Sequence, residues 1–555
     1  MHKIIKKTIK YTACGIGLLL VAVVLFVAVL YFSADMLTPE YTPRSAGEVV
    51  CTDSLRQYEG NYLRHSNSGL WELKVNGNAF QRGEAIGKLS PDLLYYQEKV
   101  FVDQIREIVP SDNYLKFLRF FIVLFNRNLG KNVPEEFRDE IYGISLSCTH
   151  EYDFIGTPYE RQLNYHSAHD LGHAMQDYML VGCSSFATWG ENSADSSLII
   201  GRNFDFYMGD KFARNKLVSF YQPEQGYKFA SIGWPGMIGV LSGMNETGLT
   251  VTINAAKSTM PTASATPISI LTREILQYAS TIDEAYAIAL KRKTFVSESI
   301  LVGSARDRKA AIIEKSPEKT ALFTGSGKQI ICTNHYQSDA FRDDERNREN
   351  IETSDSPYRF ARLQELLEEN KPINSLKAAA ILRNQKGLEN ADLGMGNEMA
   401  INQLIAHHSV IFLPEQQIMY VSTSPWQCGK YMAYDLNKIF SDTVDFRHEI
   451  ATPELTIPED YFIKQADYKQ FIAYKKLTKL IREKTRRKET IEARVLNLYE
   501  ASNPSFYYVY EVLGDYHAAT RQTATAIAYW QKALTLPIPK QAEKERIQQK
   551  INKNS

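Results

Sequence analysis

Val181-Gly182-Cys183-Ser184-Ser185 is followed, after one short strand-like run, by Gly201-Arg202-Asn203-Phe204-Asp205, and these two stretches decide how the chain reads. A glycine precedes a cysteine, and an arginine and an aspartate stand three apart just beyond the next apolar run. The texture of the sequence changes at the same cysteine. Downstream, Leu198–Ile200, Leu217–Phe220, Lys228–Ile232 and Leu249–Ile253 read as strands, separated by turn signals such as Trp234-Pro235-Gly236 and Asn245-Glu246-Thr247-Gly248.

Working outward, helices are expected at about 267–279 and 282–291, with Thr281 as N-cap of the second. Strands return at Ser299–Ala305 and Ala310–Lys315, around 321–323 and at 329–333; helices recur at 356–369 and 374–383; a hairpin of Ser409–Leu413 and Ile418–Ser422 closes the block near residue 450. Strands, then helices, then strands joined by hairpins describe an α+β domain rather than a parallel α/β one. Upstream, residues 71–182 read as a mostly helical segment, with long helices at about 91–109 and 112–128 and a helical stretch over 134–182, and residues 35–70 read as a polar linker.

Composition narrows the class. Basic and acidic residues number 64 each, which argues against nucleic acid as a bulk partner. Six cysteines, scattered at 14, 51, 148, 183, 332 and 428, make neither a disulfide framework nor a zinc pattern. His169 and His173 lie one helical turn apart without a third ligand nearby, so they read as ordinary helix residues, and neither cofactor nor metal is called for.

Both ends carry appendages. Lys3, Lys6, Lys7 and Lys10 precede an uncharged apolar run from Tyr11 to Ala34, long enough to cross a bilayer as a helix. The flanking lysines orient such a helix with its start in the cytoplasm and the body exported, so residues 1–34 read as a single-pass anchor at the cell membrane; a cleaved signal peptide is the alternative. Residues 451–555 read as a helical tail, dispensable for chemistry. Within it, 505–536 has the spacing of one tetratricopeptide-like repeat: Tyr510, Leu513-Gly514, His517, Ala526, Trp530 and Ala533. A packing role for that unit is weighed against a protein-partner role, and the basic stretch with Arg486-Arg487-Lys488 reads as a solvated face.

The chemistry starts from Cys183. A thiolate is the reactive form of cysteine, and it needs a base. A cysteine that begins a processed chain carries one, because an α-amine of pKa near 8 can take the thiol proton. Such an amine needs an anionic partner, and the reaction needs oxyanion donors.

At this point the motifs match a known pattern. Gly182-Cys183-Ser184-Ser185, Gly201-Arg202-Asn203-Phe204-Asp205 and Gly243-Met244-Asn245-Glu246-Thr247-Gly248-Leu249, in that order, closely resemble the N-terminal nucleophile hydrolases of the acid ceramidase and conjugated bile acid hydrolase type. The Gly-Cys junction after a long upstream segment looks more like the branch containing isopenicillin N acyltransferase. The resemblance covers roughly residues 70–430 and implies a four-layer αββα sandwich of antiparallel sheets. It implies Cys183 as nucleophile after self-cleavage at Gly182-Cys183, Arg202 as the residue that orients the thiol, and Asp205 as partner of the freed amine. It further implies Asn254 as the oxyanion-hole asparagine, Asn334 as the site asparagine that ends a later strand, and Arg359 on the following helix, with Arg362 as the alternate; Asn245 reads as structural, and Cys332 is given no role.

The expected protein is therefore an exported amide hydrolase or acyltransferase acting on a small acylated amide through a Cys183 thioester. The alternative is a non-catalytic scaffold or binding protein that keeps the fold and recruits partners through its tail. Cys-Ser-Ser, where acid ceramidase relatives usually show Cys-Thr-Ser, and the two appendages leave the substrate open.

Overall fold

The computed structural model of the 555-residue chain describes residues 17–19, 21–30, 34–41, 47–108, 111–174, 180–257, 264–441 and 444–555. Two large sheets dominate. Edge to edge, the eleven-stranded sheet runs Val50–Cys51, Leu55–Tyr58, Asn61–His65, Trp71–Gly77, Leu217–Pro223, Phe229–Gly233, Ser242–Asn245, Leu249–Ala255, Glu298–Ser304, Lys309–Lys315 and Thr320–Phe323. The six-stranded sheet runs Gln329–Cys332, Ser184–Gly190, Ser196–Phe204, His408–Leu413, Ile418–Ser422 and Tyr431–Asp435.

The two-residue period of these strands builds three cores. Along the strand Ser196–Phe204, Leu198 and Ile200 face the other sheet while Ile199 faces helices. Along Lys309–Lys315, Ala310 and Ile312 point between the sheets, and Ala311 and Ile313 point to the opposite helical layer. The middle core is sheet on sheet, with Val218, Phe220, Leu301, Val410, Phe412 and Met419 meeting there. The outer cores pack helices such as Ala79–Leu89, Glu135–Ser145 and Ile268–Tyr278 on the large sheet, and Ser356–Asn370 and Ser375–Leu382 on the small one. The order is helices, sheet, sheet, helices.

Several expectations need correction. Residues 35–70 are not simply a linker, because 55–58 and 61–65 form a hairpin at the edge of the large sheet. Its two-residue turn, Glu59-Gly60, has positive φ at both positions (46° and 74°), the backbone that matches strand twist in a tight hairpin. Polar residues over most of this edge concealed it. The sheets are not wholly antiparallel either: Trp71–Gly77 pairs parallel to Leu217–Pro223, from Trp71 opposite Leu217 to Gly77 opposite Pro223. Finally, the helical stretch over 134–182 is broken, with helices Glu135–Ser145 and Pro158–Ala174 separated by a turn that restarts at Pro158. His169 and His173 fall on the second of these helices, and their side chains lie outside what is described.

The upstream segment is thus built into the body. Helix Ala79–Leu89 lies so close to Glu135–Ser145 that a Cβ at Gly83 would fall 1.9 Å from the Glu140 carbonyl oxygen, so the contact requires glycine. Glu140 is fully buried and accepts from two arginines. Arg82 lies on its own side of Cys183 (Nε 3.0 Å, Nη2 2.7 Å), and Arg273 lies beyond Cys183 (Nη1 3.3 Å, Nη2 3.1 Å). Burial alone would raise the Glu140 carboxyl, but Arg273 and Arg82 hold it below the ordinary carboxylate range. Replacing Glu140 by Gln is expected to cost about 3–5 kcal/mol in chemical unfolding, because two buried guanidinium groups lose their shared anion. A loss under about 1 kcal/mol would show that water reaches this cluster.

Asn245 plays the structural part its turn suggested. Its amide donates to the carbonyls of Leu276 and Ala279 (2.8 Å each), and its oxygen accepts from the Thr247 and Leu249 amides at 3.0 Å.

The tail is helical as expected but not an appendage. Helices Ala466–Arg487, Ala493–Ser502, Tyr507–Ala519, Thr523–Leu534 and Gln541–Asn554 enclose a core that includes Leu404 and Cys428 of the sheet-bearing body. Asn503 clamps the backbone of Met395 from both sides, accepting from its amide (3.0 Å) and donating to its carbonyl (2.8 Å). Helices 507–519 and 523–534 form one pair, with Trp530 packed on Gly514. Arg486, Arg487 and Lys488 are exposed.

At the other end, the expected span Tyr11–Ala34 is described only at 17–19, 21–30 and 34, where 17–19 and 21–30 are helical. Among the described residues no helix is long and apolar enough to cross a membrane.

Candidate active site

Strand pairing assembles the site. Ser184–Gly190 starts directly after Cys183 and pairs antiparallel with Ser196–Phe204, setting Ser184 opposite Asn203 and Ser185 opposite Arg202. The Arg202 guanidinium then reaches back to the cysteine, with Nη2 3.7 Å from Cys183 Sγ. Nη1 also donates to the Leu241 carbonyl (3.1 Å) and the Ser242 hydroxyl (2.6 Å), and Nη2 to the Ile253 carbonyl. Arg202 is wholly buried.

Asp205 directly follows the same strand. Its carbonyl accepts from the Gly182 amide at 3.1 Å, which closes the chain around the junction. Its two carboxylate oxygens are buried and have no hydrogen-bond partner among the described residues. Burial pushes this carboxyl up to about 8, against the pull of Arg359 and Arg202. Burial likewise pushes the Cys183 thiol up to about 11, with Arg202 pulling it down and Asp205 pushing it up. In the uncut chain the thiol therefore holds its proton at neutral pH.

Arg359 sits in the first turn of helix Ser356–Asn370. Its Nε donates to Asp355 (2.8 Å), Nη1 to the Cys183 carbonyl (2.6 Å) and the Ser184 hydroxyl (3.1 Å), and Nη2 to Asn334 Oδ1 (2.7 Å). The alternate, Arg362, turns away to Glu365 and Asn390. Asn334 donates to the Ala255 carbonyl at 2.8 Å. Asn254 donates to the carbonyls of Cys332 (2.8 Å) and Thr333 (3.2 Å) and accepts from Ser185 Oγ at 2.8 Å. Cys183, Arg202, Asp205, Asn254, Asn334 and Arg359 thus come together at one end of the sheet sandwich. In the uncut chain both asparagine amides brace strand ends.

The motifs left three neighbours unnamed. Gln403 Nε2 donates to the Gly182 carbonyl at 2.9 Å. Ser242 and His408 stand behind Arg202. A guanidinium only donates, so the Ser242 hydroxyl accepts from Arg202 Nη1 and passes its own proton to His408 Nε2 at 2.9 Å. His408 then carries its proton on Nδ1 and donates to His407 Nδ1 at 3.0 Å. Burial, joined by His407, Arg202 and Lys216, holds His408 well below the ordinary histidine range, so it serves as an uncharged acceptor. The His-His pair was visible in the sequence, but only the pairing of strand His408–Leu413 with Ser196–Phe204 brings it here.

Comparison with known proteins bears on the same segment. The family model described as acyl-coenzyme A:6-aminopenicillanic acid acyl-transferase matches residues 190–391. That stretch begins just after Cys183 and takes in Arg202, Asp205, Asn254, Asn334 and Arg359. An uncharacterised protein of Archaeoglobus fulgidus is 25% identical over 277 residues, 47% of this chain and 46% of that one. Protein dcd1B of Dictyostelium discoideum is 24% identical over 271 residues, 45% of this chain and 51% of its own length. The chain spans about half the length of these curated relatives.

Solved structures with some likeness include a Caenorhabditis elegans N-acylethanolamine-hydrolyzing acid amidase ortholog (14% identity, TM-score 0.31, 42% of this chain and 93% of that one). Penicillin V acylase from Agrobacterium tumefaciens gives 15% identity and a TM-score of 0.31 over 46% of this chain and 87% of its own. Those likenesses are too slight to bear on the chemistry.

Proposed function

We propose that the protein is an amide hydrolase or acyltransferase whose nucleophile is Cys183, exposed as a new N-terminus by self-cleavage of the Gly182-Cys183 bond. The observation that carries this reading is the pair of partnerless, buried Asp205 oxygens beside the junction. Buried carboxylates are ordinarily paired, and an α-ammonium group released at Cys183 would supply the missing cation. The family match over the segment holding the other site residues supports the same reading.

Each step then has a residue. The α-amine of Cys183 takes the thiol proton, and Arg202 stabilises the thiolate while Ser242 and His408 fix its guanidinium. The sulfur attacks the carbonyl carbon of an acylated amide, and Asn254 or Asn334, released from its strand-end carbonyl, donates to the oxyanion. The amine leaves with the proton, and water or a second amine resolves the thioester. The N-terminal apolar run would hold the enzyme at the outer face of a cytoplasmic membrane, a proposal that rests on the sequence alone.

A thiol-directed probe followed by a panel of acyl amides tests the activity. Labelling at Cys183 that blocks hydrolysis of at least one class of acyl amide is expected. Turnover that survives complete labelling of Cys183 would refute the assignment.

A further inference from the structure

Cleavage before Cys183, which the reading above requires, has a reacting carbonyl of its own. The thiol of Cys183 must add to the Gly182 carbonyl carbon, and the carbonyl oxygen then carries negative charge in a buried setting. Such a charge needs a fixed donor to be stabilised there. The donor on the Gly182 oxygen is Gln403, at 2.9 Å.

We infer that Gln403 is a catalytic residue of maturation, donating to the oxyanion that forms on Gly182 during self-cleavage. Three observations carry this beyond ordinary satisfaction of a buried carbonyl. The first is rigidity. Gln403 is buried, and its loop is pinned from several sides: Asn203 Nδ2 donates to the Ile401 carbonyl (2.9 Å), the Asn402 amide donates to the Asn384 carbonyl (2.8 Å), and the His407 amide donates to the Phe204 carbonyl (2.9 Å). The backbone that carries the donor is thus fixed as charge develops.

The second is the identity of residue 182. A Cβ there would lie 2.6 Å from Gln403 Nε2, so the amide occupies the space that any side chain would need. With its amide in this position, Gln403 leaves room only for glycine at 182. The third is that the peptide itself is held, since the Gly182 amide donates to the Asp205 carbonyl (3.1 Å) and Arg359 grips the Cys183 carbonyl (2.6 Å). The junction is thus fixed on both sides with its carbonyl aimed at Gln403.

The step balances with one water. Cys183 Sγ bonds to the Gly182 carbon and gives up its proton. The Gly182–Cys183 C–N bond breaks and the nitrogen takes a proton, leaving a thioester and a free α-amine. Water adds to the thioester carbon, the C–S bond breaks, the sulfur regains a proton, and Gly182 departs as a carboxylate with release of one proton. Gln403 donates to the same oxygen in both tetrahedral stages.

The test is the rate at which the full-length purified protein yields a fragment beginning at Cys183, read by gel and N-terminal sequencing. Gln403→Ala is expected to slow it on the order of 100-fold or more. Gln403→Glu keeps the shape but lacks the N–H donor, so it answers the question if the alanine variant folds poorly, and it should be equally slow. Gly182→Ala should slow cleavage strongly with Gln403 present and much less in the Gln403→Ala background, since the two sites share one clash. Wild-type rates in Gln403→Ala or Gln403→Glu would overturn the assignment. A wild-type chain that is never cut would overturn it together with the maturation step. A chain that is cut as expected but hydrolyses no acyl amide would leave Gln403 in place and sink the amidase reading instead.

Discussion

Cys183→Ala is expected to leave the chain in one piece and without measurable turnover. In the proposed mechanism one sulfur would serve both reactions, attacking Gly182 and then substrate, so both losses would come from a single substitution. The side chain is 1% exposed and contributes to the core beside Phe204, so truncation to alanine removes only one sulfur atom from packing. Gel analysis for the cut product and acyl-amide assays check the two losses independently. Cys183→Ala protein that is cut normally would place the cleaving nucleophile elsewhere.

The second large effect is a change of sign at Asp205. In the uncut chain its carboxyl is pushed from an ordinary 3.8 to about 8, because burial disfavours the anion. An acid whose folded pKa is raised stabilises the fold below the unfolded pKa, and this contribution is lost as pH climbs to the folded value. Held uncut by Cys183→Ala, the protein should lose stability between pH 4 and pH 8. Asp205→Asn in that background should flatten the dependence and raise stability at pH 8 by up to on the order of 5 kcal/mol. After the proposed cleavage the same substitution would remove the anion opposite the α-ammonium, so turnover should fall. Chemical unfolding at pH 5 and pH 8 distinguishes these cases, and a destabilising Asp205→Asn in the uncut chain would mean that the carboxylate already has a cation.

How far the sequence reached depended on how local each signal was. Strands such as Leu249–Ala255 were legible because Val251 and Ile253 are bulky and face helices, while Thr250, Thr252 and Asn254 alternate with them. Helices Ile268–Tyr278 and Ile282–Lys291 were legible from apolar spacing and the Thr281 cap, which accepts from the Glu284 amide. Ser184–Gly190 was not legible as a strand, since Ser184 and Ser185 face the site rather than a core and break the apolar alternation. Tyr431–Asp435 lies beyond the closing hairpin, and Tyr431 carries the bridge to Ile457 by which residues beyond 450 return to the body.

The site divides in the same way. Arg202 and Asp205 lie on the hairpin that starts at Cys183, so their spacing from it is a local quantity. Arg359 and Asn334 became nameable through a recognised motif order, but choosing Arg359 over Arg362 took the helix direction, which turns only Arg359 to the Cys183 carbonyl. Gln403 and His408 are more than 200 residues from Cys183 and have no signature. The Asn203 side chain and the strand His408–Leu413 bring them in, and these are tertiary facts. The tail misled for a related reason. Phe471, Tyr474 and Ile481 announced an apolar helix face, but nothing local told that Leu404, one residue from Gln403, would help to cover it.

The most direct measurement is the N-terminal sequence and intact mass of the purified, active protein. The expected result is a catalytic piece spanning residues 183–555 that begins with Cys183, held to the upstream piece by the parallel pairing of Trp71–Gly77 with Leu217–Pro223 and by Arg82, Glu140 and Arg273. A full-length chain that hydrolyses acyl amides while the Gly182–Cys183 bond is intact would contradict it.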